Sequence, residues 1–312
     1  MDNFENVTHR FRRCFDNPIL EPIKANNFEA RAVFNPAVLY LEGKYHIVYR
    51  AVTPENTSTM GYATSKDGYT IDERLDYPIY TQREEFECVS CEDPRLTELD
   101  GSIYMFYTGY DGRMPRVAFS SISTEDFLNR KWENWDKARV ITPYDVDDKD
   151  ACVLPEKIDG KFVIIHRVNC EMRVNYVDDI NEPLEHGGYA FGPSKKYWDG
   201  NLKYGLAGPP IHIDEGWLFI IHRVAPGGIY IVEALITDHK DITKVIAESR
   251  DALLEPERHY ELHGDVNNVV FPCSTVLKDG EVVLHYGGAD KVVGVCKMKV
   301  TDLLKQMVWF RR

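Results

Sequence analysis

Apolar and polar residues alternate in short runs along the chain, and these runs recur in five similar segments. Each segment has a proline, a hydrophobic stretch, a turn glycine and then an alternating or apolar run. The segments begin at Phe34, Cys91, Cys152, Gly208 and Val269 and read FNPAVLYLEGKYHIVYRA, CEDPRLTELDGSIYMFYTG, CVLPEKIDGKFVIIHRV, GPPIHIDEGWLFIIHRV and VVFPCSTVLKDGEVVLHYGG. None shows an apolar stripe at helical spacing over three turns, so the pattern predicts β-strands.

The glycine of each segment predicts a hairpin turn between two strands, since most of these glycines follow Asp or Glu. They are Gly43, Gly101, Gly160, Gly216 and Gly280. A further strand follows each hairpin, and the prolines recur at intervals of 58, 61, 54 and 63 residues. Repeats of this length with about four strands are typical of propeller blades. We therefore predict an all-β fold, a single five-bladed β-propeller domain over residues 1–312 with a short C-terminal helix near 301–310; the alternative is a pair of β-sandwiches.

Composition and charge narrow the classes of partner. The 312 residues carry 37 Lys and Arg against 50 Asp and Glu, a net charge of −13, which argues against a nucleic-acid partner. No signal peptide or membrane-spanning run is evident, so no membrane partner is expected. The seven cysteines are scattered, with one CxxC at Cys88 and Cys91, and fit free thiols in a cytoplasmic protein. The sequence leaves open whether the chain forms a homo-oligomer.

Polar residues occupy matching places in the repeat. The strands after the turn glycines end in residues such as Arg50, Arg167 and His222, and the segments begin near Asn35, Asp93, Lys149–Asp150 and Lys203. The inner strands of a propeller line a central funnel, where such side chains would meet. Five cations from three segments, Arg50, Lys149, Arg167, Lys203 and His222, then predict an anion site. The alternative is that each cation pairs locally with an acid.

One held carboxylic acid beside a cluster of cations indicates a type of reaction. Inverting glycoside hydrolysis needs an acid for the leaving oxygen and a base for water. When inorganic phosphate replaces water, the nucleophile is already ionised and needs positive charge rather than a base. The set therefore fits a glycoside phosphorylase.

The chain resembles glycoside hydrolase family 130, the β-mannoside phosphorylases and related mannosidases, from NPIL at Asn17 to GGADKVVGVC near the end. The motifs, in order, include FNPA, EDPR, LPEKIDGK, NLKYGLAGPPI, GWLFIIH, NVVFPC and YGGAD. The resemblance implies a five-bladed propeller and no metal or organic cofactor, with inorganic phosphate as co-substrate. By the same resemblance the catalytic acid is Asp93, the phosphate-holding residues are Lys149, Arg167, Lys203 and His222, and the sugar contacts are Asn35, Arg50 and Asp290.

Three departures from the family pattern concern the site. Lys149–Asp150 stands where Arg-Asn is frequent: the cation is kept, but Asp150, expected among the substrate-binding residues, adds a negative charge where an amide would suit phosphate better. Arg223 stands where Gly is common, which would narrow the mouth or add a cation. The strand ending at Arg50 lacks the acidic residues that follow it in some members. Family mannosidases that use water are expected to carry glutamates instead of the basic cluster.

The expected reaction is reversible phosphorolysis, with inversion, of a β-1,2- or β-1,4-linked manno-oligosaccharide, giving α-mannose 1-phosphate; the enzyme would be a phosphorylase of the glycosyltransferase type. Pro94 is expected to hold Asp93 in an extended conformation; the alternative is an Asp that caps a turn and pairs with Arg95. Glu84–Glu87 and residues 186–200 are the expected acceptor-side loops. Two other functions stay open: a hydrolase using Asp150 or a glutamate as base, and a non-catalytic carbohydrate-binding propeller.

Overall fold

The computed structural model describes residues 2–142, 146–184, 188–193 and 203–310. Within these ranges the protein is mostly β, with 23 strands and few helices. The α-helices are short: α1 Thr124–Leu128, α2 His259–Leu262 and α3 Val300–Lys305. Among the described residues no helix has the length and apolar character needed to cross a bilayer.

The strands form five antiparallel units, which we number in chain order with the short strand β1 counted in unit 5. Units 1 and 2 are joined into one sheet by a single parallel pair, Ser58 and Ser90. Unit 1 holds β2 Ala32–Leu41, β3 Lys44–Val52, β4 Ser58–Ser65 and β5 Glu73–Arg74. Unit 2 holds β6 Ser90–Leu99, β7 Ser102–Tyr110, β8 Pro115–Ser123 and β9 Arg139–Val140.

The other three units are separate sheets. Unit 3 holds β10 Asp148–Val153, β11 Phe162–Val168, β12 Glu171–Val177 and β13 Tyr189–Phe191. Unit 4 holds β14 Lys203–Leu206, β15 Ile211–Ile213, β16 Gly216–Ala225, β17 Ile229–Thr237, β18 Val245–Ser249 and the C-terminal β23 Met307–Trp309. Unit 5 holds β19 Val270–Pro272, β20 Val276–Lys278, β21 Glu281–Gly288, β22 Val292–Lys299 and the N-terminal β1 Arg12–Arg13.

The predicted hairpins are present, and four of them have the turn geometry that the sequence favours. The two turn residues have positive φ in Glu42–Gly43, Asp100–Gly101, Asp159–Gly160 and Asp279–Gly280. Positive φ at both central residues defines the type I′ turn, whose twist matches that of the flanking strands. A glycine at the second position removes the steric cost there, which explains why the glycine is the most regular mark of the repeat.

Both chain ends are held in sheets. The predicted C-terminal helix is present as α3, but the residues after it form β23, which pairs with β18 of unit 4. At the other end β1 pairs with β22, so that a strand from the start of the chain completes the last unit.

The hydrophobic core lies between consecutive units. Buried apolar clusters join unit 1 to unit 2, unit 2 to unit 3, unit 3 to unit 4 and unit 4 to unit 5. A further cluster joins unit 5 to unit 1, where Val276, Val283 and Val293 pack with Val33, Val38 and Ile47. Each unit therefore buries apolar side chains against two others. The polar residues at the strand ends lie outside these apolar clusters.

Candidate active site

A pocket of about 190 Å³ collects residues from all five units. Eight of the nine residues that the sequence singles out line it: Asn35, Arg50, Asp93, Lys149, Asp150, Arg167, Lys203 and Asp290. The ninth, His222, lies behind its wall. Residues that are far apart in sequence but occupy the same place in the repeat are thus brought together.

Three of these residues sit on equivalent β-bulges at the start of their units. The strand register shifts between Phe34 and Ala37, between Glu92 and Arg95, and between Lys149 and Cys152. Each bulge contains one residue in the left-handed region: Asn35, Asp93 and Asp150, with φ of 48°, 51° and 54°. Asn and Asp tolerate this region better than other non-glycine residues. The bulge turns each side chain out of the strand alternation and into the pocket.

The extended conformation expected for Asp93 is therefore wrong. Pro94 restricts the preceding residue, but the extra residue of the bulge imposes the left-handed conformation instead. The expected alternative, an Asp93 carboxylate paired with Arg95, is also not observed. Arg95 donates from Nη1 to the backbone carbonyl of Asp93, at 3.0 Å, and leaves the carboxylate to other partners.

The carboxylate of Asp93 is held by two neighbours from unit 1. Its Oδ1 accepts hydrogen bonds from Nδ2 of Asn35, at 2.9 Å, and from Nη1 of Arg50, at 3.3 Å. Arg50 also donates from Nη2 to Oε1 of Glu92, at 3.0 Å, and its guanidinium lies over the ring of Phe34. These contacts fix the direction of the acid.

The cationic side of the pocket is formed by units 3 and 4. Lys149 and Arg167 are directly paired across β10 and β11, so their side chains leave the sheet side by side. Lys203 begins β14, and its pKa is lowered by burial and then by the nearby charge of Arg167. Nε of Arg167 is buried and has no hydrogen-bond partner among the described residues. Cations placed so close together repel one another, and an anionic ligand would relieve that repulsion.

Asp150 and His222 lie deeper than expected. Oδ2 of Asp150 is 3.2 Å from Nη1 of Arg167 and 3.4 Å from Nε2 of His222. Burial would raise the pKa of Asp150, but the charges of Arg167 and Arg95 outweigh it and hold that pKa well below its usual range. Burial lowers the pKa of His222, whose ring packs on Phe271. The lowered pKa favours the neutral imidazole of His222, which lies behind the pocket, over the cation that the sequence indicates.

Asp290 faces the acid from unit 5. It is half-buried, and burial together with the charge of Asp93 raises its pKa to about 7. The side chain follows Ala289 in a tight turn where both residues have positive φ. Near neutral pH this carboxyl is therefore partly protonated, and it can both donate to and accept from a sugar hydroxyl.

The raised pKa of Asp290 predicts a pH-dependent effect on stability. A carboxyl with a pKa of about 7 when folded, against an ordinary 3.8, stabilises the fold fully below pH 3.8 and loses this contribution as the pH rises through 7. We expect Asp290→Asn, which has no such titration, to gain Tm relative to the parent by roughly 2–5 °C between pH 5 and pH 8. Thermal melts of both proteins across this range test it, and a constant difference in Tm would contradict it.

Several pocket residues were missed by the sequence reasoning. Glu92 lines the pocket, accepts from Ser90 and Arg50 through Oε1, and has Oε2 3.9 Å from Lys149. A sequence signal for Glu92 was available, because it stands directly before Asp93 in the EDPR motif. The apolar wall is the other omission, formed by Tyr230, Val266, Val269 and Phe271. These residues carry no pattern that distinguishes them from core.

The structure corrects two other expectations, and a third lies mostly outside the described residues. Arg223 does not reach the mouth as a free cation, because it is buried and forms a two-pronged ion pair with Glu233. Glu84–Glu87 is not part of the central pocket; Glu87 is fully buried and closes a capping box with Glu84. Of the expected acceptor loop at 186–200, residues 186–187 and 194–200 lie outside the described residues, and the described part adds strand β13 to unit 3.

A larger surface groove exists but lacks the chemistry of the central pocket. It has a volume of about 970 Å³ and is lined by residues of unit 3 and by Asp241 and Thr243. Among its described lining residues the one cation is Lys161, which pairs with Asp178. Among the described residues, no three His, Cys, Asp or Glu side chains are grouped so as to hold a metal ion.

Comparison with known proteins places the chain in a family. The family model described as beta-1,4-mannooligosaccharide phosphorylase, of glycoside hydrolase family 130, matches residues 10–308. Two relatives from Thermoanaerobacter sp. (strain X514) are a 1,2-beta-oligomannan phosphorylase, 35% identical over 94% of this chain and 99% of its own, and a beta-1,2-mannobiose phosphorylase, 37% identical over 92% and 96%.

A solved structure agrees in fold. The beta-1,2-mannobiose phosphorylase from Listeria innocua, in complex with beta-1,2-mannobiose, superposes with a TM-score of 0.80 over 95% of this chain and 98% of its own, at 21% identity. The family match covers nearly the whole length of the chain. This chain therefore belongs to glycoside hydrolase family 130.

Proposed function

We propose that the protein is an inverting β-mannoside phosphorylase, which transfers a mannosyl unit from a β-linked manno-oligosaccharide to inorganic phosphate. The observation that carries this proposal is the composition of the central pocket. One well-held carboxyl, Asp93, faces a group of cations formed by Lys149, Arg167 and Lys203. Residue roles within the pocket are part of the proposal.

In the proposed reaction Asp93 donates a proton to the departing glycosidic oxygen, directly or through a substrate hydroxyl. A phosphate oxygen attacks the anomeric carbon from the opposite face as the glycosidic bond breaks. Inversion converts the β-linkage into α-mannose 1-phosphate, and the shortened acceptor leaves with the proton. Lys149, Arg167 and Lys203 hold the phosphate close to the oxocarbenium-like transition state. Asn35, Arg50 and Asp290 bind the mannosyl hydroxyls, and Asn35 and Arg50 also hold the acid.

Phosphorolysis fits the pocket better than hydrolysis because the two carboxylates nearest the cations, Glu92 and Asp150, are already engaged. Glu92 accepts from Arg50 and Ser90. Asp150 faces Arg95 and Arg167, and its depressed pKa makes it a weak base. Water would need a base at the opposite face of the sugar, whereas phosphate needs only positive charge.

The names of the relatives support a proposal for the substrate linkage. Both relatives from Thermoanaerobacter carry β-1,2 names, and each covers more than nine-tenths of this chain. The description of the family model names the β-1,4 linkage instead. We propose the β-1,2 linkage because the individual relatives match this chain over nearly their entire length.

We also propose that the five units are the blades of a single five-bladed propeller domain over residues 1–312. The support is the series of apolar clusters that joins each unit to the next and unit 5 to unit 1. A cytoplasmic location is proposed as well, and its support is that the seven cysteines are free thiols, five of them buried.

The decisive experiment is an incubation with β-1,2- and β-1,4-mannobiose, with and without inorganic phosphate. We expect α-mannose 1-phosphate and mannose from the β-1,2 dimer only when phosphate is present. Two free mannoses per dimer, independent of phosphate, would establish a hydrolase instead. Binding of the dimers without any turnover would establish a carbohydrate-binding protein. Chromatography of the products with a phosphate-free control distinguishes the three outcomes.

A further inference from the structure

Arg95 connects three units around the pocket from a position that solvent does not reach. Its side chain is 1% exposed, yet every guanidinium nitrogen has an acceptor. Nη1 donates to the carbonyl of Asp93 and Nε to the carbonyl of Ala207, each at 3.0 Å. Nη2 donates to Oδ1 of Asp150 and to the carbonyl of Leu206, also at 3.0 Å. One side chain of unit 2 thus holds its own acid and parts of units 3 and 4.

The two carboxylate oxygens of Asp150 face opposite ways. Oδ1 accepts from Arg95, while Oδ2 lies 3.2 Å from Nη1 of Arg167 and 3.4 Å from Nε2 of His222. Asp150 is 3% exposed, so both contacts lie in a region of weak screening. Asp150 therefore sets where the guanidinium of Arg167 lies.

Arg95 also reaches the third cation through the backbone. Leu206 ends strand β14, which begins at Lys203, and Ala207 follows it directly. Because Arg95 bonds both carbonyls, the strand that carries Lys203 cannot slide relative to Asp93 without breaking two buried hydrogen bonds. Two of the cations and the acid thus share one buried anchor.

We propose that Arg95 and Asp150 form a positioning pair, which fixes the proton donor Asp93 relative to the phosphate-holding residues Arg167 and Lys203. The inference rests on the proposed phosphorolysis, in which donor and nucleophile must act on opposite faces of one sugar. A misplacement of about 1 Å in such an arrangement costs on the order of 10²-fold in rate.

The backbone conformations of Asp93 and Asp150 support this role. Asp93 and Asp150 both have left-handed φ, and Arg95 joins the carbonyl of the first to the side chain of the second. Strained residues of this kind persist where surrounding contacts hold them, and they cluster at functional sites. A buried ion pair is often no more stabilising than a packed apolar pair of similar volume. Stability alone therefore does not explain why an ion pair joins the two strained bulges beside the pocket.

The first test is Arg95→Lys, which keeps the charge but cannot satisfy the same set of acceptors. We expect kcat per folded enzyme to fall by about 10²-fold. The matched control is Arg13→Lys, because Arg13 is also 1% exposed and makes a two-pronged ion pair with Glu261 outside the pocket. The control should lose Tm while kcat and both KM values per folded enzyme stay within twofold of the parent.

The second variant, Asp150→Asn, keeps an oxygen that can accept from Arg95 but removes the charge that faces Arg167. We expect KM for phosphate to fall by about threefold, since the pocket becomes more positive, while kcat falls by about tenfold because Arg167 loses its fixed partner. A purely structural role would lower Tm without moving KM for phosphate in this direction. This variant also serves if Arg95→Lys does not fold.

The outcomes separate this inference from the proposed function. If the parent makes no mannose 1-phosphate, the proposed phosphorolysis is refuted. The positioning pair is then tested by calorimetric titration of inorganic phosphate into the parent and Asp150→Asn, and equal affinities for phosphate refute it. With an active parent, a lowered kcat in Arg95→Lys and a lowered KM for phosphate in Asp150→Asn support the pair. If Arg95→Lys loses activity only in proportion to its loss of folded protein, with kcat per folded enzyme unchanged as in Arg13→Lys, the positioning pair is overturned.

Discussion

Replacing Asp93 by Asn is expected to lower kcat on β-mannobiose by about 10³-fold, because the departing sugar then leaves without a proton. Asn also tolerates the left-handed conformation, and its carbonyl oxygen can still accept from Asn35 and Arg50. The fold and the sugar contacts should therefore survive. Initial rates of mannose 1-phosphate release, with phosphate saturating, measure the effect.

The leaving group decides whether this loss reflects proton donation. The phenolate of an aryl β-mannoside with an acidic phenol departs without protonation. On this substrate we therefore expect the kcat of Asp93→Asn to be only roughly tenfold below that of the parent. The matched control is Asp100→Asn, since Asp100 also has left-handed φ, of 53°, but lies at the exposed hairpin turn of the same unit. Near-normal activity of Asp93→Asn on mannobiose would remove Asp93 from the role of acid.

Replacing Lys203 by Met is expected to raise KM for phosphate by roughly 30–100-fold, which lies within the range for losing a hydrogen bond to a charged group. Met keeps most of the length and apolar volume of the side chain but carries no charge. The KM for mannobiose should change by less than threefold, because the sugar contacts come from units 1, 2 and 5. Initial rates over a matrix of phosphate and mannobiose concentrations separate the two constants.

Lys157→Met is the matched control for the phosphate prediction. Lys157 is also a partly exposed lysine, but it pairs with Asp100 and lies over the ring of Phe162, outside the pocket. It should leave both KM values unchanged. A rise in the KM for mannobiose equal to that for phosphate in Lys203→Met would place Lys203 against the sugar and weaken the proposed division of the pocket.

Eight of the polar members of the pocket could be predicted from sequence because their places follow from the repeat. Residues at equivalent positions, such as Asn35 and Asp93, are brought together by any arrangement that places the units around one centre. The hairpin turns were predictable for a local reason, since Asp-Gly and Glu-Gly pairs favour positive φ at both turn residues.

The orientation of side chains within the pocket could not be predicted in this way. Pro94 favours an extended Asp93 locally, whereas pairing with the neighbouring strand imposes a bulge that only the folded sheet reveals. The burial of individual side chains could not be predicted either. Asp150 and His222 stand among the polar strand ends of the repeat, yet they are only 3% and 0% exposed. Their burial depends on packing between units 3, 4 and 5, for which a single sequence carries no signal.

The strand β1 has a consequence for the order of events during synthesis. Arg12 and Arg13 pair with Lys297 and Cys296, so the ribosome must make more than 280 further residues before this edge can form. At about 5–20 residues per second, the N-terminal strand waits roughly 15–60 s for its partner. Throughout that time the emerging chain has an unpaired strand at its start, and a chain released early would keep both that strand and the facing surface of unit 1 open to association with other chains.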